Sequence, residues 1–203
     1  MTRVPFTQNH RWHLPLLLLV FCCSFFINNG AIFADIMESR NIITAREMVY
    51  DHNWLVPTMN GELRLEKPPL PTWIAAITEM ISPDNLPLQR AMAGFAAVML
   101  VLFFYKFATK LTDNRTYALV SSLVLCTSYN IILMGRTATW DIYCHAFMMG
   151  AIYYLYLALR QNPCKWTYFI GAGIFMGLSF LGKGPVSFYA LLLPFVCAYI
   201  LYY

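Results

Sequence analysis

The chain has 203 residues, 59% of them hydrophobic and only 12% charged, with a net charge of +4. That much apolar side chain cannot be hidden in one small water-soluble core, which excludes an ordinary soluble domain and points to a membrane protein. The absence of a basic stripe, a glycine-rich nucleotide loop and any CxxC or zinc-ligand spacing argues against a nucleic-acid partner, a nucleotide site and a zinc centre.

About 17 to 25 apolar residues are needed to cross the hydrocarbon layer as a helix. Taken in chain order, six segments approach that length: Leu14–Ala34, Ala91–Thr109, Tyr117–Met134, Ile142–Leu159, Trp166–Leu181 and Val186–Tyr203. The first follows Arg3 and Arg11 as a signal peptide would, but NNGAIFAD is a poor cleavage site and more spans follow, so it is expected to be retained. The fifth is short and glycine-rich (GAGIFMG), which suits tight packing against a neighbour. The expected fold is therefore an all-α polytopic bundle.

A cytoplasmic N-terminus places Arg3, Arg11, Lys106, Lys110, Arg115, Arg160 and Lys165 on the cytoplasmic side, as the positive-inside tendency requires. The other side then receives nine of the ten acids, eight of them between Asp35 and Asp84. A loop serving only to join two spans would be short, so the stretch from Asp35 to Arg90 is expected to carry polar chemistry on the outer face. Within it, Ile42, Ala45, Met48 and Val49, and then Leu70, Trp73, Ile74, Ile77 and Ile81, recur at helical spacing. Both segments read as amphipathic helices lying along the membrane surface, at a depth that suits Trp54 and Trp73. Of the six cysteines none falls in this loop, where oxidation would staple it.

Four stretches in order, MESRNIITAREM, NWLVPTMNGELRLEKPPLPTW, RTATWD and GLSFLGKGP, resemble the bacterial branch of the protein mannosyltransferase-like family, which includes the lipid A aminoarabinose transferases. The likeness extends from Asp35 onward, and it implies a GT-C membrane fold and transfer of a sugar from a polyprenyl-phosphate donor to a lipid or glycan acceptor. It also implies an inner (plasma) membrane protein with its active site on the outer, periplasmic face. On that reading residues 1–203 form the N-terminal part of a GT-C domain, with residues 35–90 as its outer catalytic loop. Because the sequence stops at AYILYY, inside an apolar run, truncation is expected; an inactive membrane fragment or a small transporter is the competing reading. Transporters bury charge near mid-membrane, whereas the charges here gather at one face.

The family opens its outer loop with an Asp-Glu pair, and alignment on REM puts Met37 and Glu38 there, so the expected catalytic aspartate is missing. Its role falls to Glu38 or to Asp35, although these two also have the spacing of a capping box. Arg40 matches the family's arginine, whose planar guanidinium suits a bidentate grip on phosphate. Arg46 and Glu47 read as a solvated helix face. Glu66 and Lys67 match a pair that in the aminoarabinose transferase supplies a ligand for a divalent metal ion and a cation for the lipid phosphate. Pro68, Pro69 and Pro71 would hold that pair stiffly, or simply mark a helix start. Asp141 is a further carboxylate candidate, with pairing to Arg136 as the alternative, and Arg136 is itself a candidate for donor binding. Lys183, in LGKGP, breaks the positive-inside pattern and is expected to be a second phosphate cation, whereas His52 and His145 carry no clear signal.

Overall fold

The apolar run that opens at His13 forms α1 (His13–Phe21) and continues through a π-helical turn, Cys22–Phe26. The helix ends because Ile27 is extended and Asn28 has a left-handed backbone. The computed structural model describes residues 12–160 and 165–202; Arg3, Arg11 and Cys164 lie outside the described residues.

Asp35 starts α2 (Ile36–Tyr50) with a capping box: its carboxylate accepts from Glu38 N at 2.7 Å, and Glu38 accepts from Asp35 N at 3.3 Å. A hairpin follows, β1 (Thr58–Met59) and β2 (Glu62–Leu63), antiparallel with Thr58 opposite Leu63. Asn60 and Gly61 turn it, at φ 56° and 78°, as a two-residue turn of Asn-Gly type requires. Pro69 caps α3 (Leu70–Ile81) and Pro71 sits in its first turn, where a missing N–H leaves no bond unmade. The small side chains Ala75 and Ala76 of α3 pack on Ala45 and Met48 of α2, and Trp73 Nε1 donates to Trp54 O at 2.8 Å. Ile77, Met80 and Ile81 are left exposed on the other face, as a helix lying in the membrane interface needs.

The longest helix, α4 (Leu86–Thr112), is capped by Asn85 and stops at Asp113 in a left-handed conformation. Asn114 then caps α5 (Arg115–Cys126) by accepting from Thr116 N and Tyr117 N. The next helix, α6 (Tyr129–Gly135), is bent by 66° from α5. At that break the Thr127 and Ser128 hydroxyls bond back to the carbonyls of Leu123 and Leu125. The chain continues through α7 (Asp141–Arg160), α8 (Trp166–Lys183), a second π-helical turn (Phe188–Leu192) and α9 (Leu193–Tyr202). The core joins Phe21 and Phe25 of the first helix to Ala93, Ala97 and Val101 of α4 and Ile142 of α7. A β-carbon at Gly135 would come within 2.8 Å of both Phe25 and Ala97, so the bend can nest there only with glycine.

The all-α membrane fold is as expected, but its spans are divided differently. Among the described residues α4 and α7 are long and apolar enough to cross a membrane, and the bent α5–α6 pair makes a third. The segments expected as first and last spans are shorter apolar helices, because hydropathy runs on through helix ends and π-helical turns, and the expected fifth span, now α8, is not among the helices apolar enough to cross. In the GAGIFMG run only at Gly171 would a β-carbon meet a neighbour, Tyr154; the close approach falls later, where a β-carbon at Gly182 would lie 3.1 Å from the Cys144 backbone.

Candidate functional site

Helix α2, expected to bury an apolar face, instead buries Glu38, Asn41 and Thr44 beside Ala45 and Met48, and it is the platform on which the polar residues assemble. Glu38 is 1% exposed, and its two oxygens accept from Arg90 Nε at 2.9 Å and Nη2 at 2.8 Å. Arg90, on α4, directs its other N–H groups to the carbonyls of Asn29, Ile32 and Phe33, so all five of its donors are committed. Glu38 also accepts from Ala138 N at 2.8 Å, while Asn41 donates to Ala138 O and accepts from Thr72 on α3. One turn of α2 thus fixes the end of the first helix, α3, α4 and the segment leading into α7. Glu38 therefore has no oxygen left to take a proton from a substrate, and the carboxylate at this end with an unbonded oxygen is the exposed Asp35.

Asp35, Glu38 and Arg136 line one cavity of about 330 Å³, bounded by Asn29, Phe33 and Tyr129. Arg136 donates to the carbonyls of Ser24, Ile27 and Asn28, closing the end of the first helix. It does not pair with Asp141, whose partner is Lys183 across the α7–α8 contact. Lys183 is therefore a cation already balanced by a carboxylate, and an incoming phosphate would have to compete with Asp141 for it. Met37, at the position where the resemblance implies aspartate, is not among the residues lining the cavity.

The second group of predicted residues is gathered by one the sequence reading passed over. Arg64, 7% exposed, follows β2 and donates from Nη1 to Arg40 O and to Thr44 Oγ1, the latter at 2.6 Å. Its guanidinium also lies 5.4 Å from the Trp140 ring. The loop carrying Glu66 and Lys67 is thereby tied beside Arg40. Burial pulls the Arg64 guanidinium below the usual arginine range, with Glu66 opposing that shift and Arg40 adding to it. Arg40 is exposed and Lys67 half-buried, and neither side chain makes a hydrogen bond or ion pair among the described residues. Each is a cation open to an anion.

Among the described residues no three His, Cys, Asp or Glu side chains converge as a metal site. Glu66 would offer a divalent ion a single carboxylate, so the remaining ligands would have to come from water or from a bound phosphate.

Arg46 and Glu47, expected on a solvated face, are tethers instead. Arg46 pairs with Asp84 and approaches the buried Glu79 at 3.6 Å. Glu47 accepts from Asn60 N at 2.5 Å, and the turn, with Thr58, outweighs burial to hold its carboxyl below the usual range. The Asn-Gly turn was the readable signal for this contact. His145 bonds Ser187 Oγ at 3.0 Å, within the α7 packing and away from α2.

The sequence profile described as dolichyl-phosphate-mannose-protein mannosyltransferase matches residues 66–202. The chain is 32% identical over 165 residues to an undecaprenyl phosphate-alpha-4-amino-4-deoxy-L-arabinose arabinosyl transferase of Shewanella sediminis, covering 78% of this chain and 29% of that protein. It is 28% identical over 163 residues to the Yersinia enterocolitica transferase of the same name, covering 78% and 28% respectively. The fold is similar to the crystal structure of ArnT from Cupriavidus metallidurans bound to undecaprenyl phosphate, with a TM-score of 0.70 at 16% identity over 88% of this chain and 33% of that one. The chain thus spans about a third of the length of the proteins it matches.

Proposed function

Since the chain belongs to the dolichyl-phosphate-mannose-protein mannosyltransferase family, we propose that it is part of a membrane glycosyltransferase that takes a sugar from a polyprenyl-phosphate donor. The acceptor is a lipid or other envelope molecule on the outer face of the inner membrane. The observation that carries this reading is the Arg64 tether, which ties the loop carrying Lys67 to the α2 backbone at Arg40, both cations being without hydrogen-bond or ion-pair partners among the described residues.

In the proposed reaction an acceptor oxygen bonds to the anomeric carbon as the bond from that carbon to the phosphate oxygen breaks. The electron pair of the broken bond leaves with the phosphate, where Arg40 and Lys67 stabilise it. The acceptor's proton passes to a carboxylate, a role this reading gives to Asp35, which keeps one oxygen unbonded. Glu38 acts as a positioning residue, holding Asp35 through the capping box and the neighbouring segments through Arg90. Asp141 and Lys183 form a second, self-balanced charge pair that a donor phosphate could open.

Binding tests the reading directly. The chain in lipid nanodiscs should bind undecaprenyl phosphate at least about tenfold more tightly than undecaprenol, the margin expected of a charge-assisted contact. Equal affinity for the two would remove the phosphate site. Orientation is tested separately, in a chain whose native cysteines are replaced by alanine. A cysteine at Glu62, on the hairpin, should react with an impermeant thiol reagent from the outer side, and one at Lys110, on the last turn of α4, should not. The reverse pattern would put α2 and its cations on the cytoplasmic face.

A further inference from the structure

The end of α4 remote from Arg90 carries Lys106 and Lys110 one turn apart. Asp113, left-handed at φ 51°, ends that helix and Asn114 caps the next, so Arg115 falls in the first turn of α5 as it packs back on α4. The three cations line one cavity of about 260 Å³ together with Tyr153 of α7. Among the described residues none of the three makes a hydrogen bond or an ion pair, and Asp113 is not among the residues lining the cavity. Lys110 suits the dipole at the end of α4. Arg115 does not suit its own place, because a helix start disfavours a cation and no acid in that turn offsets it. Like charges gathered without a counter-charge repel, and an anion among them removes that cost.

An apolar groove leads away from the same spot. Phe95, Val98, Met99, Leu102, Phe103 and Lys106 recur at steps that keep them on one stripe of α4, and they line a second hollow of about 230 Å³ that shares Lys106 with the first. The Lys106 ammonium lies 5.7 Å from the Phe103 ring, at the junction of the two. Between Phe95 and Lys106 the helix rises about 16 Å, which matches half of the roughly 30 Å hydrocarbon core, the depth of one leaflet. A free phosphate would satisfy the cations and leave the groove empty, whereas an uncharged lipid would fill the groove and leave the cations unanswered. A zwitterionic head would bring a further cation to the three already there. We infer that this face binds an anionic phospholipid, its phosphate among Lys106, Lys110 and Arg115 and one acyl chain along the stripe to Phe95. The inference does not rest on the transferase reading. The orientation proposed above decides only that the lipid comes from the cytoplasmic leaflet.

The experiment places the chain in phosphatidylcholine nanodiscs with a small fraction of phosphatidylglycerol that carries a photoreactive diazirine in an acyl chain, and maps crosslinked peptides by mass spectrometry. Labelling should fall on residues 95–106, and unlabelled phosphatidylglycerol in the nanodisc should compete for it where phosphatidylethanolamine and inorganic phosphate do not. Lys106→Gln and Arg115→Gln should each lower the apparent affinity about fivefold, and the two combined with Lys110→Gln at least about tenfold. All three side chains are exposed, so these variants should keep the wild-type circular dichroism. Lys165→Gln removes an exposed cation outside the cavity, at the start of α8, and should leave labelling unchanged. An equal loss for Lys165→Gln would mean a diffuse surface charge and no site. Wild-type labelling of the triple variant, or equal competition by phosphatidylethanolamine, would also overturn the inference. Competition by inorganic phosphate as strong as by phosphatidylglycerol would overturn the lipid assignment. No undecaprenyl phosphate enters this assay, so a chain that fails to bind that lipid can still pass it, and one that binds it can still fail.

Discussion

Arg90→Met is expected to destabilise the chain by about 3–5 kcal/mol, the range for removing one partner of a buried ion pair. The size of the effect follows from what is left behind. Glu38 would remain 1% exposed with its charge unpaired, and the carbonyls of Asn29, Ile32 and Phe33 would lose the donor that gathers them. Glu38→Gln should also destabilise, because an amide cannot accept on both oxygens from the guanidinium. Replacing both partners, as Glu38→Leu with Arg90→Met, should recover part of the loss, since no orphaned charge then remains. Thermal unfolding in detergent, followed by circular dichroism, measures all four forms. An Arg90→Met chain as stable as wild type would show that the pair is dispensable. Activity of Glu38→Gln, measured in a complete protein at a temperature where it stays folded, separates positioning from proton transfer: a positioning residue leaves substantial turnover once folding is secured, whereas a base does not.

Lys67→Ala in a complete protein should slow transfer by about 100-fold, as loss of a preorganised charge at a departing group commonly does. Lys67 is suited to that role because it is held without being neutralised. Its flanking prolines fix the backbone on one side, Arg64 ties the loop to α2 on the other, and its ammonium has no acidic partner among the described residues. Lys183 is the useful contrast, a cation of similar chemistry that already sits on Asp141. Lys183→Ala should therefore be milder in phosphate binding than Lys67→Ala. Turnover and phosphate-lipid affinity measured on both variants decide the matter, and normal turnover of Lys67→Ala would reduce the EKPP stretch to a helix boundary.

Several features were legible in the sequence because their causes are local. The capping box of Asp35 and Glu38 depends on residues three apart, and the proline-marked start of α3 depends on a fixed backbone angle, so both were readable and both occur. The helical membrane class followed from composition, since apolar surface in such excess has few other solutions. Span boundaries were less legible: hydropathy averages over a window and does not register the 66° break after α5, which side-chain hydroxyls and tertiary packing set.

Partners across the chain were decided by tertiary structure alone. Glu38 meets Arg90 from 52 residues away, Arg64 meets Thr44 from 20, and Asp141 meets Lys183 from 42. Each of these acids and bases looks the same in sequence whether it is free to act on a substrate or bound to a neighbour, because its chemistry is set by which opposite charge the fold brings within hydrogen-bonding distance. That is why residue type and spacing could name the charged residues around α2, while only the packing of α2 against α3, α4 and the start of α7 separated the committed pair, Glu38 and Arg90, from those left open, Asp35, Arg40 and Lys67.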